Sequence, residues 1–303
     1  MKEQIDLLFE FERPVYAFDY LENLKVGCCI LPSNSGGLEV IVFNEMNKGS
    51  EVSYTIDGFD EKPKVDLLSE NSAILLINNE LFFLNLIEKY LLLVLKDVED
   101  YAIHTNSDEL IVCVQNPFRL EVYDLDNFGM NMPIGKRIDI GQLGLNENVK
   151  MFSLNNHLLF CTSNRLIQFD RSIKVIIAEF KIEATEISSA DIDNAGNYFA
   201  YTGKGRKGCF LLDLSNGKNI ERTALFGTDI KGRSCVKFLP KSNLLALATR
   251  IGYIMITDIH DSFKMICNNQ IHSGAIHEIR FSNDDQVLYT AGFDGKLIKS
   301  QLI

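Results

Sequence analysis

Residues 272–301 read His272-Ser273-Gly274-Ala275-Ile276-His277-Glu278-Ile279-Arg280-Phe281-Ser282-Asn283-Asp284-Asp285-Gln286-Val287-Leu288-Tyr289-Thr290-Ala291-Gly292-Phe293-Asp294-Gly295-Lys296-Leu297-Ile298-Lys299-Ser300-Gln301. Three short apolar segments alternate here with polar turns. The first ends at Phe281, the second begins at Val287, and the third runs into Ser300-Gln301. Segments this short, bounded by Asn, Asp and Gly, read as strands rather than helices. Asp284-Asp285 is the turn between the first two, and Asp294-Gly295 stands before the third.

The same grammar extends back along the chain. Ile192-Asp193-Asn194-Ala195-Gly196-Asn197-Tyr198 and Phe238-Leu239-Pro240-Lys241-Ser242-Asn243-Leu244 repeat the strand, polar turn and apolar strand. Lys25–Ile30, Leu38–Phe43, Leu110–Val114, Leu158–Cys161 and Leu244–Ala248 are further strand segments, and no sustained 3.6-residue pattern appears. The strands fall in groups of four. In each group the third strand ends in an apolar run and then a polar marker. The markers are Phe43-Asn44, Leu84-Asn85, Tyr123-Asp124, Phe169-Asp170, Leu212-Asp213, Thr257-Asp258 and Ser300-Gln301. Their successive gaps are 41, 39, 46, 43, 45 and 43 residues. That is the period of a propeller blade. The units resemble WD repeats, so the expectation is an all-β, seven-bladed, WD-repeat-like β-propeller, one domain over residues 1–303.

The last group lacks an outer strand, and residues 4–11, Gln-Ile-Asp-Leu-Leu-Phe-Glu-Phe, are a spare strand at the start that closes it. The expected core lies on the inner strands near Val15, Ala17, Ile111, Val149, Ile187, Val236 and Ile276. In WD repeats the His before the first strand and the Asp before the third join a hydroxyl in one hydrogen-bonded network. Here these are His272, Asp294 and Thr290, with Ser300 where the usual Trp would stand.

Composition bounds the function. Lys and Arg number 30 and Asp and Glu 41, for a net charge of −11. An acidic chain is a poor partner for phosphate backbones, so nucleic acid is disfavoured. The seven cysteines form no CxxC pair and sit in apolar runs, which predicts buried, reduced thiols in a reducing compartment. No signal-peptide block or membrane-length apolar run is present.

Few motifs point to chemistry. Gly203-Lys204-Gly205-Arg206-Lys207-Gly208 has the GxGxxG spacing. Dinucleotide binding would need a helix after it, whereas Cys209–Leu214 reads as a strand. The expectation is a loop whose Lys204, Arg206 and Lys207 contact a partner. His277 is expected to be solvated or at an edge, and Phe82 and Phe83 to be core. Residue chemistry alone thus gives a scaffold with no active site of its own, and a protein-binding propeller in a multi-subunit complex is one reading.

Arg13-Pro14-Val15-Tyr16-Ala17-Phe18, the loop 203–208 leading into Cys209-Phe210-Leu211-Leu212, and Gln270–Ile279 carry a further resemblance. The chain is similar to the cytosolic domain of the endoplasmic-reticulum exchange factor for Sar-type small GTPases, the prolactin regulatory element-binding protein family. The resemblance implies guanine-nucleotide exchange in COPII vesicle formation, at the cytosolic face of the endoplasmic reticulum, or in the cytoplasm for a chain without an anchor. It places membrane attachment in a segment beyond Ile303. In that family a projecting loop between the second and third strands of the first blade reaches the GTPase and holds potassium with backbone carbonyls. The matching residues are Ser33, Asn34, Ser35, Gly36 and Gly37, with Asn34 nearest the family's functional Asn. The family loop is longer and richer in glycine.

Overall fold

The computed structural model describes residues 5–46, 49–58, 63–69, 71–104, 107–125, 128, 135–145, 149–154, 157–182, 187–203, 209–221, 235–261 and 263–302. The chain is all-β and has the fold class of a seven-bladed, WD-repeat-like β-propeller, with seven four-stranded antiparallel sheets. Blade 1 is Ala17–Leu21, Val26–Pro32, Leu38–Asn44 and Gly49–Ile56. Blade 2 is Lys64–Ser69, Ser72–Ile77, Glu80–Asn85 and Tyr90–Leu95. Blade 3 is Val98–His104, Glu109–Val114, Arg119–Asp124 and Lys136–Asp139. Blade 4 is Lys150–Leu154, His157–Cys161, Arg165–Asp170 and Val175–Lys181. Blade 5 is Ile187–Ile192, Tyr198–Gly203, Cys209–Asp213 and Lys218–Glu221. Blade 6 is Cys235–Phe238, Leu244–Ala248, Tyr253–Asp258 and Lys264–Gln270. Blade 7 is Ile276–Phe281, Val287–Gly292 and Lys296–Gln301, completed by Ile5–Glu10.

All seven markers are the last two residues of a third strand. At five of them the reason is a side-chain turn. Asn44 Oδ1 accepts the Met46 amide at 2.8 Å, and Asp170 Oδ1 takes Ser172 N at 2.8 Å. Asn85, Asp213 and Asp258 do the same two residues on. An Asx side chain that bonds its own backbone two residues on starts a turn, so the residue class recurs at these strand ends.

Burial follows strand position. The second strands are the most covered: Ser72–Ile77, Glu109–Val114 and Tyr198–Gly203 are buried after their first residue. A strand covered on both faces reads as a continuous apolar run rather than an alternation. The expected core residues are all buried, including Val15 and Ile111 at 0% exposure. Ile111 lies on a second strand, and Val15 and Val149 just precede first strands.

The chain packs as two compact units, residues 1–73 with 187–303, and residues 74–186. In the first, Ile5–Glu10 pairs antiparallel with Lys296–Gln301, from Ile5 opposite Ser300 to Glu10 opposite Lys296. This strand also packs sideways on blade 1. The Phe9 and Phe43 rings lie 4.4 Å apart, and Tyr20 of blade 1 sits 4.8 Å from Tyr289 of blade 7. Aromatic contacts of this kind add about 1 kcal/mol each beyond burial. In the second unit, a core of Ile111, Leu120, Ile138, Met151, Leu158 and Phe160 joins blades 3 and 4. No helix among the described residues is long and apolar enough to cross a membrane.

Candidate functional site

Blade 1 pairs up to Pro32 opposite Leu38, so Ser33–Gly37 is all that joins its second and third strands. The turn closes on itself. Ser33 N donates to Gly37 O at 2.7 Å, Gly36 N to Ser33 O at 3.3 Å, and the Ser33 and Ser35 hydroxyls meet at 2.8 Å. Gly36 holds φ +96°, and a Cβ on Gly37 would strike Ile56 O. Asn34, Ser35 and Gly36 are exposed. The Ser33 and Gly37 carbonyls already accept N–H groups of the turn. A potassium ion here would have to draw on the carbonyls of Asn34, Ser35 and Gly36.

The base of this turn is fixed by Arg13, a residue sequence reasoning had not marked as functional. Its Nη1 donates to Pro32 O at 2.7 Å and its Nη2 to Glu39 Oε2 at 2.6 Å. The planar guanidinium has the fork needed to bridge both strands at once. The signal was the Arg-Pro step before the first strand, which puts an extended, rigid residue beside the turn.

His272, Asp294 and Thr290 are brought together. His272 Nδ1 lies 2.8 Å from Asp294 Oδ1, and Nε2 lies 2.8 Å from Thr290 Oγ1. Asp294 also accepts the Ser273 amide at 2.9 Å. With Asp294 ionised, Nδ1–H donates to it and Nε2 accepts the Thr290 hydroxyl. Burial lowers the His272 pKa, with Asp294 pulling the other way. A buried, fully partnered histidine of this kind pins two loops to a strand. Ser300 is buried, but its Oγ finds no partner among the described residues and stands outside the network.

Other sequence expectations divide. Gly203 ends a strand and Cys209 begins the antiparallel next one, so the helix that dinucleotide binding requires is replaced by a strand. Lys204, Arg206 and Lys207 lie outside the described residues. Asp284 and Asp285 form the expected turn, Asp284 accepting Ser282 Oγ at 2.6 Å and Asp285 the Lys241 amide at 2.9 Å. Phe82 and Phe83 are core. His277 takes the edge position of the two expected, on Ile276–Phe281, the end strand of its sheet. It is half-buried, with Tyr16 at 5.8 Å and Phe293 at 5.9 Å between ring centres, because the residues before blade 1 fold over it.

A second set of groups escaped sequence reasoning. In the first unit, the first strands of five blades bring Asp191, Lys237, Glu278, Arg280, Asp19 and Asp66 together. Asp191 bonds Lys237 Nζ at 3.0 Å and the Phe238 amide at 2.8 Å. Asp19 takes the Leu67 amide at 2.8 Å. Arg280 reaches Asp66 at 3.2 Å, Glu278 at 3.5 Å and Asp19 at 3.7 Å. Burial raises the Asp19 and Glu278 pKa values, against the pull of Arg280 on both. Asp191 raises that of Lys237. In the second unit Asp100 takes the Met151 amide at 2.8 Å in the same way. The recurring element is a first-strand carboxylate that crosses to the backbone of the next blade. Among the described residues no group of His, Cys, Asp and Glu is placed to hold a metal ion.

No protein-family model matches the chain, and no curated protein matches it by sequence.

Proposed function

We propose that this chain is a guanine-nucleotide exchange factor-like propeller that acts on a Sar-type small GTPase in COPII vesicle formation at the cytosolic face of the endoplasmic reticulum. The observation that carries the reading is the position of Ser33–Gly37. It joins the second and third strands of blade 1 and exposes Asn34, Ser35 and Gly36 on a base that Arg13 fixes. Exchange of this kind needs no acid or base. A protein that binds the nucleotide-free GTPase more tightly than the loaded form weakens nucleotide affinity by the same factor. A turn held by Arg13 costs little ordering when it docks. Lys204, Arg206 and Lys207 are a further contact in this reading, and membrane attachment would come from a segment outside residues 1–303.

The closure of the turn within five residues favours a second reading, a non-catalytic WD-repeat scaffold in a multi-subunit complex. Release of fluorescent GDP from a Sar-type GTPase separates the two. Acceleration that Asn34→Ala removes, in potassium and in sodium buffers, supports exchange through this turn. No acceleration by the folded chain leaves the scaffold.

A further inference from the structure

We propose that the fourth strand of blade 4, Val175–Lys181, is a docking edge for an extended, acidic segment of a partner protein, which joins the sheet as a fifth strand.

The strand is the last of its sheet and pairs with Arg165–Asp170 on one side. On the other, alternate N–H and C=O groups of an edge strand point outward, and only another extended chain satisfies them in series. Edges are normally guarded by charge, proline or a short length. This one exposes Val175 at 45%, Ile176 at 40% and Ile177 at 48%, beside Ile173 at 66%. The apolar outer strand of blade 2, Tyr90–Leu95, is half-buried throughout, and the outer strands of three other blades interrupt such runs. Lys136–Asp139 is Lys-Arg-Ile-Asp, Ile5–Glu10 carries Asp6 and Glu10, and Lys264–Gln270 ends in Asn-Asn-Gln.

Charge selects the occupant. Around this edge Arg165, Arg171, Lys174 and Lys181 stand against Asp170, Glu179 and Glu109, which pairs with Arg171 at 2.5 Å, an excess of one cation in a chain of net charge −11. The complement is an acidic strand. A second copy would bring the same cations to the same edge. Beside the end of the strand lies a depression of about 370 Å³ lined by Asn164, Arg165, Glu179, Phe180 and Lys181. Arg165 is set there in advance, its Nη2 donating to Leu143 O at 2.8 Å and its Nη1 to Glu179 at 3.3 Å. The depression gives a flanking side chain of the partner a polar seat, while the apolar run takes its alternate apolar residues.

The test uses the whole chain and a fluorescent synthetic heptapeptide, alternating Glu with Val and Ile. Saturable binding at about micromolar concentration is expected. Replacing Glu by Lys in the peptide, or methylating the amide nitrogens along one of its edges, weakens binding about tenfold or more. Ile177→Glu, which sets a like charge against the peptide, does the same. The double variant Val175→Thr with Ile177→Thr, which keeps strand propensity, weakens it with far-UV circular dichroism unchanged. Equal binding of the methylated or the lysine peptide overturns the proposal, as does no saturation up to about a millimolar. A dimer of the chain alone in sedimentation, dispersed by Ile177→Lys, overturns it in favour of a second copy.

Discussion

Asp191 on the first strand of blade 5 takes the backbone N–H of Phe238, 47 residues later on the first strand of blade 6, at 2.8 Å. Its other oxygen holds Lys237 at 3.0 Å. One carboxylate therefore satisfies a backbone donor and a cation of the next blade. Asp191→Ala strands both and is expected to cost about 2 kcal/mol, the scale of a charge-assisted bond. Asp191→Asn keeps an acceptor for the amide and costs about half as much. Urea denaturation of the two variants checks the order.

Stability should fall as pH drops below about 6.5, and His272 carries part of that fall. Burial holds its folded pKa below the free value of 6.5. The unfolded chain then binds the proton first, so stability rises with pH across the window from the folded value to 6.5 and is lost on acidification through it. His104 shifts the same way, by burial and then by Arg171, and contributes in parallel. The Asp294 pKa is lowered, because His272 and the Ser273 amide outweigh burial, so its contribution is lost only below 3.8. The denaturation midpoint of His272→Gln, followed from pH 7.5 to 5, is expected to have a shallower slope than wild type.

Gly292 reports on the same network by packing. A Cβ there would meet His272 Nδ1 and lie 2.6 Å from Asp294 Oδ1. Gly292→Ala is expected to destabilise by about 2 kcal/mol through overpacking. Because the added methyl forces the imidazole off Asp294, it should also change the His272 titration seen by NMR.

Arg13 is expected to control the rigidity of Ser33–Gly37. Arg13→Ala removes the bonds to Pro32 O and Glu39 and costs about 1–2 kcal/mol. Arg13→Lys keeps the charge but lacks the fork and recovers only part. Amide hydrogen exchange over residues 31–39 should quicken in both, more in the alanine variant.

All seven cysteines are buried. Burial pushes the thiols of Cys161, Cys209 and Cys235 up to about 12. The thiolate is the reactive form, so a thiol reagent at pH 8 should label almost none of them in the folded chain. All seven should react in denaturant.

The blades were legible because each is local. A strand pairs with the next across a few residues, as Val26–Pro32 does with Leu38–Asn44. Asp170 marks its strand end by bonding the amide of Ser172. The candidate turn was located for the same reason, since it is the link between two adjacent strands. Its clamp was not, since Arg13 meets Pro32 and Glu39 across 19 and 26 residues. The half-burial of His277 was not legible either, since its neighbours, Tyr16 and Phe293, belong to other segments.

The sequence by itself determined the strand class, the number of blades, the period of the polar markers and the pairing of the first strand with the last. These follow from hydrophobic period and from the spacing of the markers. Only the tertiary structure decided which carboxylates span blades and which apolar outer-strand residues stay exposed. A bond such as that from Asp19 to the Leu67 amide ends on a backbone N–H. Every residue but proline carries that group, so no letter of the sequence announces it.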